Sequence, residues 1–300
     1  MRLLLIGRNG QVGFELRRAL APLGEVVAVD FPECDLASTD SIGQTIDAAR
    51  PDVIINAAAY TAVDKAEAEP ALARAINAEA PAVIGAAAKM IGARVIHYST
   101  DYVYDGDKAT AYREDDATAP LCVYGATKRD GDAALAASGA AHFVFRTSWV
   151  FGAHGANFVK TVLRLGAERD TLSVVADQIG APTSAALLAD VTAQVLGQLR
   201  WRDAGAMPAG VYHLTAGGET SWHGFAQAIL AGGVSRGLTL RLAPDAVRAI
   251  ATSEYPLPAR RPANSRLDNT KLKDVFGMAL PDWRHSTKTC VARLLESGSL

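Results

Sequence analysis

An α/β fold built on a doubly wound parallel sheet is what this 300-residue sequence predicts, and two patterns predict it. Short continuous apolar runs alternate with amphipathic segments through the first half, and a glycine-spaced turn closes the first run. Unbroken apolarity suits strands covered on both faces, as in a parallel sheet. The runs are residues 3–6, 26–29, 53–55, 95–97 and 143–145. Between them, Val12, Leu16, Ala19, Leu20 and Leu23 recur at helical spacing. So do Leu72, Ala75, Ile76, Val83, Ile84 and Ala87, with Pro81 suited to a helix start. Strand and helix in repeated alternation give a doubly wound architecture.

The second half is less regular. Residues 172–175 and 211–214 read as strands, and residues 185–199 and 222–230 as helices. Two polar stretches exceed ordinary connectors: residues 105–120, rich in acids, and residues 253–268, rich in proline and arginine. Loops of that length tend to carry function. Apolar residues make up 49% and charged residues 21%, and the net charge is -2. That balance argues against nucleic-acid or membrane-surface binding. The opening apolar run is too short for a secretion signal, and the longest apolar stretch is broken by Asn56, Tyr60 and Thr61. Cys34, Cys122 and Cys290 form no metal or redox spacing, so they read as buried thiols of a cytoplasmic protein.

The turn after the first strand reads Gly7-Arg8-Asn9-Gly10-Gln11-Val12-Gly13. Gly7 permits the tight turn, Gly10 lets the backbone approach a pyrophosphate, and Gly13 lets the helix pack closely on the strand. The helix N-terminus then faces the phosphates. Asp30 closes the second run, where an acid bonds the adenosine ribose and disfavours a 2′-phosphate. Arg8 would attract that phosphate, so NADH and NADPH both stay open. Asp35 and Leu36 are expected near the adenine edge. Ala59, Tyr60 and Thr61 follow the third strand at its ligand-binding end. Residues 1–150 are thus expected to form the dinucleotide-binding domain, of Rossmann type. Residues 151–300 should be mainly a smaller substrate-binding domain, with some elements returning to the sheet.

Tyr124 and Lys128 stand four residues apart, on one face of a helix. Carbonyl reduction needs a proton donor for the developing alkoxide. A tyrosine ionises near pH 10, and bringing it near 7 takes about 4 kcal/mol. A nearby ammonium would supply part of that. Thr100, after the fourth strand, would hold the substrate oxygen within reach of Tyr124. The bland alternative is a chance Tyr/Lys pair; the glycine turn and Thr100 argue against it.

These residues resemble the extended short-chain dehydrogenase/reductase family. Within it the chain closely resembles the branch that reduces dTDP-4-dehydro-L-rhamnose to dTDP-L-rhamnose. Besides residues 7–13, the matching stretches are NAAAYTAVDKAE at 56–67, HYSTDYV at 97–103, YGATK at 124–128, RTSWV at 146–150, DQIGAPT at 177–183 and RPANSRL at 261–267. The resemblance implies that Tyr124 donates the proton, while Lys128 bonds the nicotinamide ribose and lowers the phenol's pKa. It implies that Thr100, Asp101 and Trp149 contact the sugar. It also implies that Gly10, Gln11, Val12, Asp30, Asp35, Leu36, Ala59, Tyr60 and Thr61 line the cofactor. The arginines of residues 260–266 could serve a diphosphate or simply face solvent. Residues 129–132 depart from the pattern, reading Arg-Asp-Gly-Asp on a more polar helix face than expected. The resemblance further implies a homodimer and, in some members, Mg2+ at a dimer contact. Its ligands cannot be placed here. Glu15 is a candidate ligand, and a surface helix acid is its simpler reading.

Two rivals remain on the residues alone. A dehydratase of the same fold would carry a glutamate after Thr100-Asp101, where this chain has Tyr102, and an epimerase would consume no cofactor. A non-catalytic subunit, like those that regulate methionine adenosyltransferase, would have no need of Tyr124, Lys128 and Thr100.

Overall fold

The computed structural model describes residues 1–199, 201 and 207–298. Six strands form one parallel sheet: β1 (Arg2–Ile6), β2 (Glu25–Val29), β3 (Val53–Asn56), β4 (Arg94–Thr100), β5 (His142–Thr147) and β6 (Gly210–His213). Their order is β6-β5-β4-β3-β1-β2. All five predicted apolar runs are strands. β4 runs past the predicted His97 through Thr100, so Thr100 ends the strand rather than following it. The sixth strand comes from the second half, as the Val211 run indicated.

Alternate residues of β1 feed two cores, as the period of a strand requires. Leu3 and Leu5 pack with α1 (Gln11–Leu20) and, later in the chain, Leu188, Val191 and Val195. Leu4 and Ile6 pack with Ile42 and Ile46 of α2 (Thr39–Ala49), with Ile84 and Ala88 of α3 (Ala80–Ile91), and with Leu135 of α4 (Val123–Ala137). The four β1 leucine and isoleucine side chains are at most 1% exposed, worth about 1.5–3 kcal/mol each. α1 packs against a helix of the second half, α6 (Ala185–Gln198), which follows α5 (Phe158–Glu168).

A third core gathers Phe151, Val159, Leu163, Phe225 and Ile229 with Trp283 and Leu294. It joins α5 to α7 (Trp222–Val234) and α8 (Trp283–Glu296). Small two-stranded pairings such as Ser173–Val175 with Arg248–Ile250 complete this lobe. All three cysteines are buried and unpaired with one another. Among the described residues, no helix is long and apolar enough to cross a membrane.

Pro81 does open α3, but the chain before it is already helical: Pro70–Arg74 runs into a π-turn, Ala75–Glu79. Pro81 has no N–H to give the carbonyl of Asn77 four residues back, and the widened turn sits where that bond is missing. A Cβ on Gly131 of α4 would lie 2.0 Å from that same carbonyl, so α4 is pressed against the turn.

The tightest approach is at the first turn. Gly7 has φ +91°, and a Cβ on Gly13 would fall 1.9 Å from the Gly7 carbonyl oxygen. Gly13→Ala should therefore push α1 off β1 and cost about 1–3 kcal/mol, read as a lowered Tm. An unchanged Tm would mean that the helix can shift without loss.

Candidate active site

The glycine turn lies at the carboxyl end of β1, which is flanked by β2 on one side and β3 on the other. Connections leave a strand there in opposite directions, and such a switch point opens a crevice. α1 begins at Gln11, and its N-cap, Gly10, supplies no side-chain bond to the first-turn N–H groups. A Cβ on Gly10 would meet no protein atom closer than 3.6 Å. No neighbouring protein atom demands that glycine, and the open space beside it has room for a pyrophosphate. An uncapped helix N-terminus is also the donor set that such an anion takes. These residues fit a nicotinamide dinucleotide.

The neighbouring predicted positions are already engaged. The Asp30 carboxylate accepts from the backbone N–H of Asn9 at 2.8 Å and of Phe31 at 2.9 Å, so it braces the turn. Arg8 pairs with Glu33 at 2.8 Å and donates to the Ala28 carbonyl at 2.7 Å. The two groups that pull cofactor preference in opposite directions are both tied to the protein. Gln11 accepts from the Asn157 side chain at 3.1 Å, and His154 bonds the Asn9 carbonyl oxygen at 2.9 Å, so the second lobe grips the turn. Val12 is partly buried against the first core. Asp35 caps its own turn by accepting from Ala37 N at 2.9 Å, and Leu36 is buried beside Ile42 rather than open to a ligand. After β3, Ala59 and Tyr60 are half-buried and Thr61 is exposed. Tyr60 is held at both backbone groups by the Asn77 amide, at 2.9 and 3.0 Å, and the same amide reaches Thr127 of α4 at 3.3 Å.

Thr100 comes up to the Tyr124 phenol, and the Asp101 carboxylate is near enough to act on it through its charge. Thr100 lies within hydrogen-bonding reach of the Tyr124 phenol. Its hydroxyl also donates to Asp101 Oδ1 at 3.1 Å. Tyr102 packs edge-on against Tyr124, with centroids 5.5 Å apart. One expectation is corrected. Burial pushes the Tyr124 phenol above its ordinary value rather than below it. Lys128 does not bring it down, because its Nζ turns inward to the Tyr98 carbonyl oxygen (2.7 Å) and to His97 Nε2 (3.0 Å).

The polar face at residues 129–132 has a structural cause. Asp132 is buried and accepts from Arg146 Nε at 3.0 Å, and Arg146 Nη1 donates to the Tyr104 hydroxyl at 2.9 Å. That hydroxyl also bonds His213 Nε2 on β6 at 2.9 Å. The Arg of the RTSWV stretch therefore answers the Asp on α4.

Trp149 has φ +50°, a conformation rare for a bulky residue. Its ring stacks on Trp222 at 3.8 Å and lies against Gly180, where a Cβ would approach it to 2.7 Å. Trp222 opens into a cleft of about 950 Å³ that Phe158, Tyr255, Arg260, Arg261 and Asp64 also line. Such a volume suits a nucleotide-sized ligand. Tyr124 and Thr100 are not in its lining. Arg261 links the cleft to them: its charge acts on Tyr102, which packs against Tyr124. Arg261 forks onto Asp64 at 3.0 and 3.1 Å. Arg266 instead bonds Asn264 and the Ala109 carbonyl, so it serves the loop and not the cleft.

Glu15 is not a surface acid. It is buried, and Arg18 and Arg293 each approach it to 3.4 Å. Two guanidinium groups satisfy its charge and do not fit a cation. Among the described residues, no cluster of three or more His, Cys, Asp or Glu could hold a metal ion.

Asn56, Asn77, His97, Asp132 and Trp222 also shape the site, although sequence spacing does not single them out. A polar residue in a largely apolar helical stretch was a usable signal for Asn77, whereas Asp132 stands beside Arg129 and Asp130 and carries no such mark. Nothing in the sequence pairs Trp222 with Trp149.

Two measurements follow from these contacts. Asp132→Ala strands a buried guanidinium and should cost about 3–5 kcal/mol in chemical denaturation, much of it recovered by the double change Asp132→Leu with Arg146→Met. Asp101 is buried with one oxygen unpartnered, and burial raises its pKa from 3.8 to about 6. The fold therefore favours the protonated acid. Its contribution is full below pH 3.8 and is lost as the pH rises through about 6. Urea melts between pH 4 and 7 should show a decline that Asp101→Asn flattens; an identical slope in the variant contradicts the assignment.

Known proteins resemble the chain from end to end. The model of a family described as the RmlD substrate binding domain matches residues 1–296. A dTDP-4-dehydrorhamnose reductase of Burkholderia thailandensis is 50% identical over 98% of this chain and 99% of its own. The solved dTDP-4-dehydrorhamnose reductase of Clostridium acetobutylicum is 35% identical, superposes with a TM-score of 0.90, and covers 98% of this chain and 100% of its own. That of Bacillus anthracis, solved in complex with NADP, is 33% identical with a TM-score of 0.88, covering 97% and 99%. The chain belongs to the dTDP-4-dehydrorhamnose reductase family.

Proposed function

We propose that this chain reduces the 4-keto group of dTDP-4-dehydro-L-rhamnose to dTDP-L-rhamnose, using NADPH or NADH. The observation that carries the reading is the meeting of Thr100, at the carboxyl end of β4, with the Tyr124 phenol at the start of α4. When bound, the reduced nicotinamide supplies the hydride. The residues of the chain do the rest. The glycine turn and the uncapped end of α1 hold the pyrophosphate. Thr100 anchors the substrate carbonyl, and Tyr124 gives its proton to the forming alkoxide. A phenol raised by burial stays protonated through the neutral range, which suits a donor. Lys128, one helical turn on, bonds the nicotinamide ribose once its Nζ swings away from the Tyr98 carbonyl and His97, and Asp101 and Trp149 frame the sugar. The cleft beside Trp222 takes the nucleotide end, with Arg260 at its mouth. The first 150 residues serve the cofactor and the later ones mainly the substrate, in a cytoplasmic homodimer.

Tyr102 stands where a dehydratase would need a further acid, which favours simple reduction. The decisive assay supplies dTDP-4-dehydro-L-rhamnose with NADPH and NADH in parallel. Stoichiometric oxidation of either cofactor is expected; product formed without cofactor consumption would indicate an epimerase. Tyr124→Phe should lower kcat about 10²–10⁴-fold while nicotinamide fluorescence still reports cofactor binding. Near-normal turnover in that variant would remove Tyr124 as the donor.

A further inference from the structure

Glu33 stands three residues beyond Asp30, past the end of β2, and no role assigned above to the cofactor site uses it. The chain turns back on itself there. Cys34 N donates to the Asp30 carbonyl oxygen at 2.9 Å, and Thr45 Oγ1 of α2 donates to the Glu33 carbonyl oxygen at 3.3 Å. The turn aims the Glu33 carboxylate at the glycine loop. Its Oε1 accepts from Arg8 Nη2 at 2.8 Å, and its Oε2 accepts from Asp30 N at 3.3 Å. Arg8, and after it the Asp30 N–H, hold the Glu33 carboxyl below the usual carboxylate range, so it is ionised at neutral pH.

Arg8 is therefore occupied at both terminal nitrogens. Nη1 donates to the Ala28 carbonyl oxygen at 2.7 Å, and Nη2 is taken by Glu33. A guanidinium recognises a phosphate best through two parallel N–H bonds. The adenosine ribose is the part of a dinucleotide that meets the end of the second strand. A 2′-hydroxyl there can donate to Asp30 and leaves the Arg8–Glu33 pair whole. A 2′-phosphate must draw Arg8 away from Glu33, and the carboxylate it displaces then repels it. The two side chains are 31% and 49% exposed, so water reaches the pair and a ligand can compete for it.

We propose that Glu33 is a specificity-determining residue: by holding Arg8 it weights the site against the 2′-phosphate of NADPH and toward the 2′-hydroxyl of NADH. Arg8 and Asp30 are then not two simple opposing votes. The cation that would welcome the phosphate is already answered by an acid of the same turn, and cofactor choice depends on three residues, not two.

The inference rests on the dinucleotide site proposed above, and binding alone tests it. Dissociation constants for NADPH and NADH can be read by nicotinamide fluorescence on the full chain. Glu33→Gln keeps the side chain's length and an acceptor oxygen but removes its charge. It should tighten NADPH about fivefold, the worth of an exposed ion pair, and leave NADH unchanged. In an Arg8→Ala background the same change should give no such gain, because there is no guanidinium to release. Adenosine 2′,5′-bisphosphate should repeat the gain and AMP should not, which confines the effect to the 2′ position. An unchanged NADPH affinity in Glu33→Gln overturns the proposal, and so does an equal gain without Arg8. Failure of the wild-type protein to bind either dinucleotide overturns this inference and the proposed function together. Binding of both without reduction of the keto sugar counts against the function alone.

Discussion

The buried guanidinium of Arg146 is the fixed point of the site. It sits on β5 and is answered by Asp132 on α4 and by Tyr104 in the loop after β4, and that tyrosine in turn bonds His213 on β6. Two sheet strands, one helix and one loop therefore share a single charge. Away from water such a charge tolerates little displacement, because each partner lost leaves an uncompensated ion. α4 carries Tyr124 and Lys128 one helical turn apart, and Lys128 is one turn before Asp132. The ion pair thus sets the rotation of the helix about its axis, and with it the approach of Tyr124 to Thr100. The π-turn at Asn77 sets the helix's depth from the other side, through Gly131 and Thr127.

The two long polar loops serve the same end. Tyr112 N donates to the Arg266 carbonyl at 2.8 Å, Asp268 N to Tyr112 O at 2.7 Å, and the Asn264 amide to the carbonyls of Lys108 and Thr110. Each loop satisfies the backbone of the other. Neither has regular structure of its own, and buried backbone groups must find partners somewhere. The join passes beside Asp101, which Ser265 meets. The substrate side of the site is thereby fastened to the sheet.

Much of this was legible in the sequence, for a definite reason. A parallel sheet buried on both faces leaves unbroken apolar runs, and a close helix–strand contact leaves glycines at fixed spacing. The strands, the turn at Gly7 and Gly13, and the Tyr124/Thr100 pair were therefore readable. Side-chain commitments were not. Asp30, Arg8 and Leu36 look like ligand groups by position, yet two of them bond the protein and the third is core. Lys128 looks like the cation that would ionise Tyr124, yet its direction depends on His97, a strand residue whose periodicity marks it only as buried. Glu15 reads as a surface acid until α8 is folded against α1 and brings Arg293 to it. Partners distant in sequence decide each of these, and one-dimensional spacing does not encode them.

The stacked indoles of Trp149 and Trp222 couple the sheet to the second lobe in a further sense. Two such rings 3.8 Å apart and nearly parallel behave as one coupled chromophore, not as two independent ones. One belongs to the segment leaving β5, and the other lines the cleft. Any change in the spacing or tilt of the two rings alters that coupling, so the pair is an optical gauge of the junction between the sheet and the second lobe.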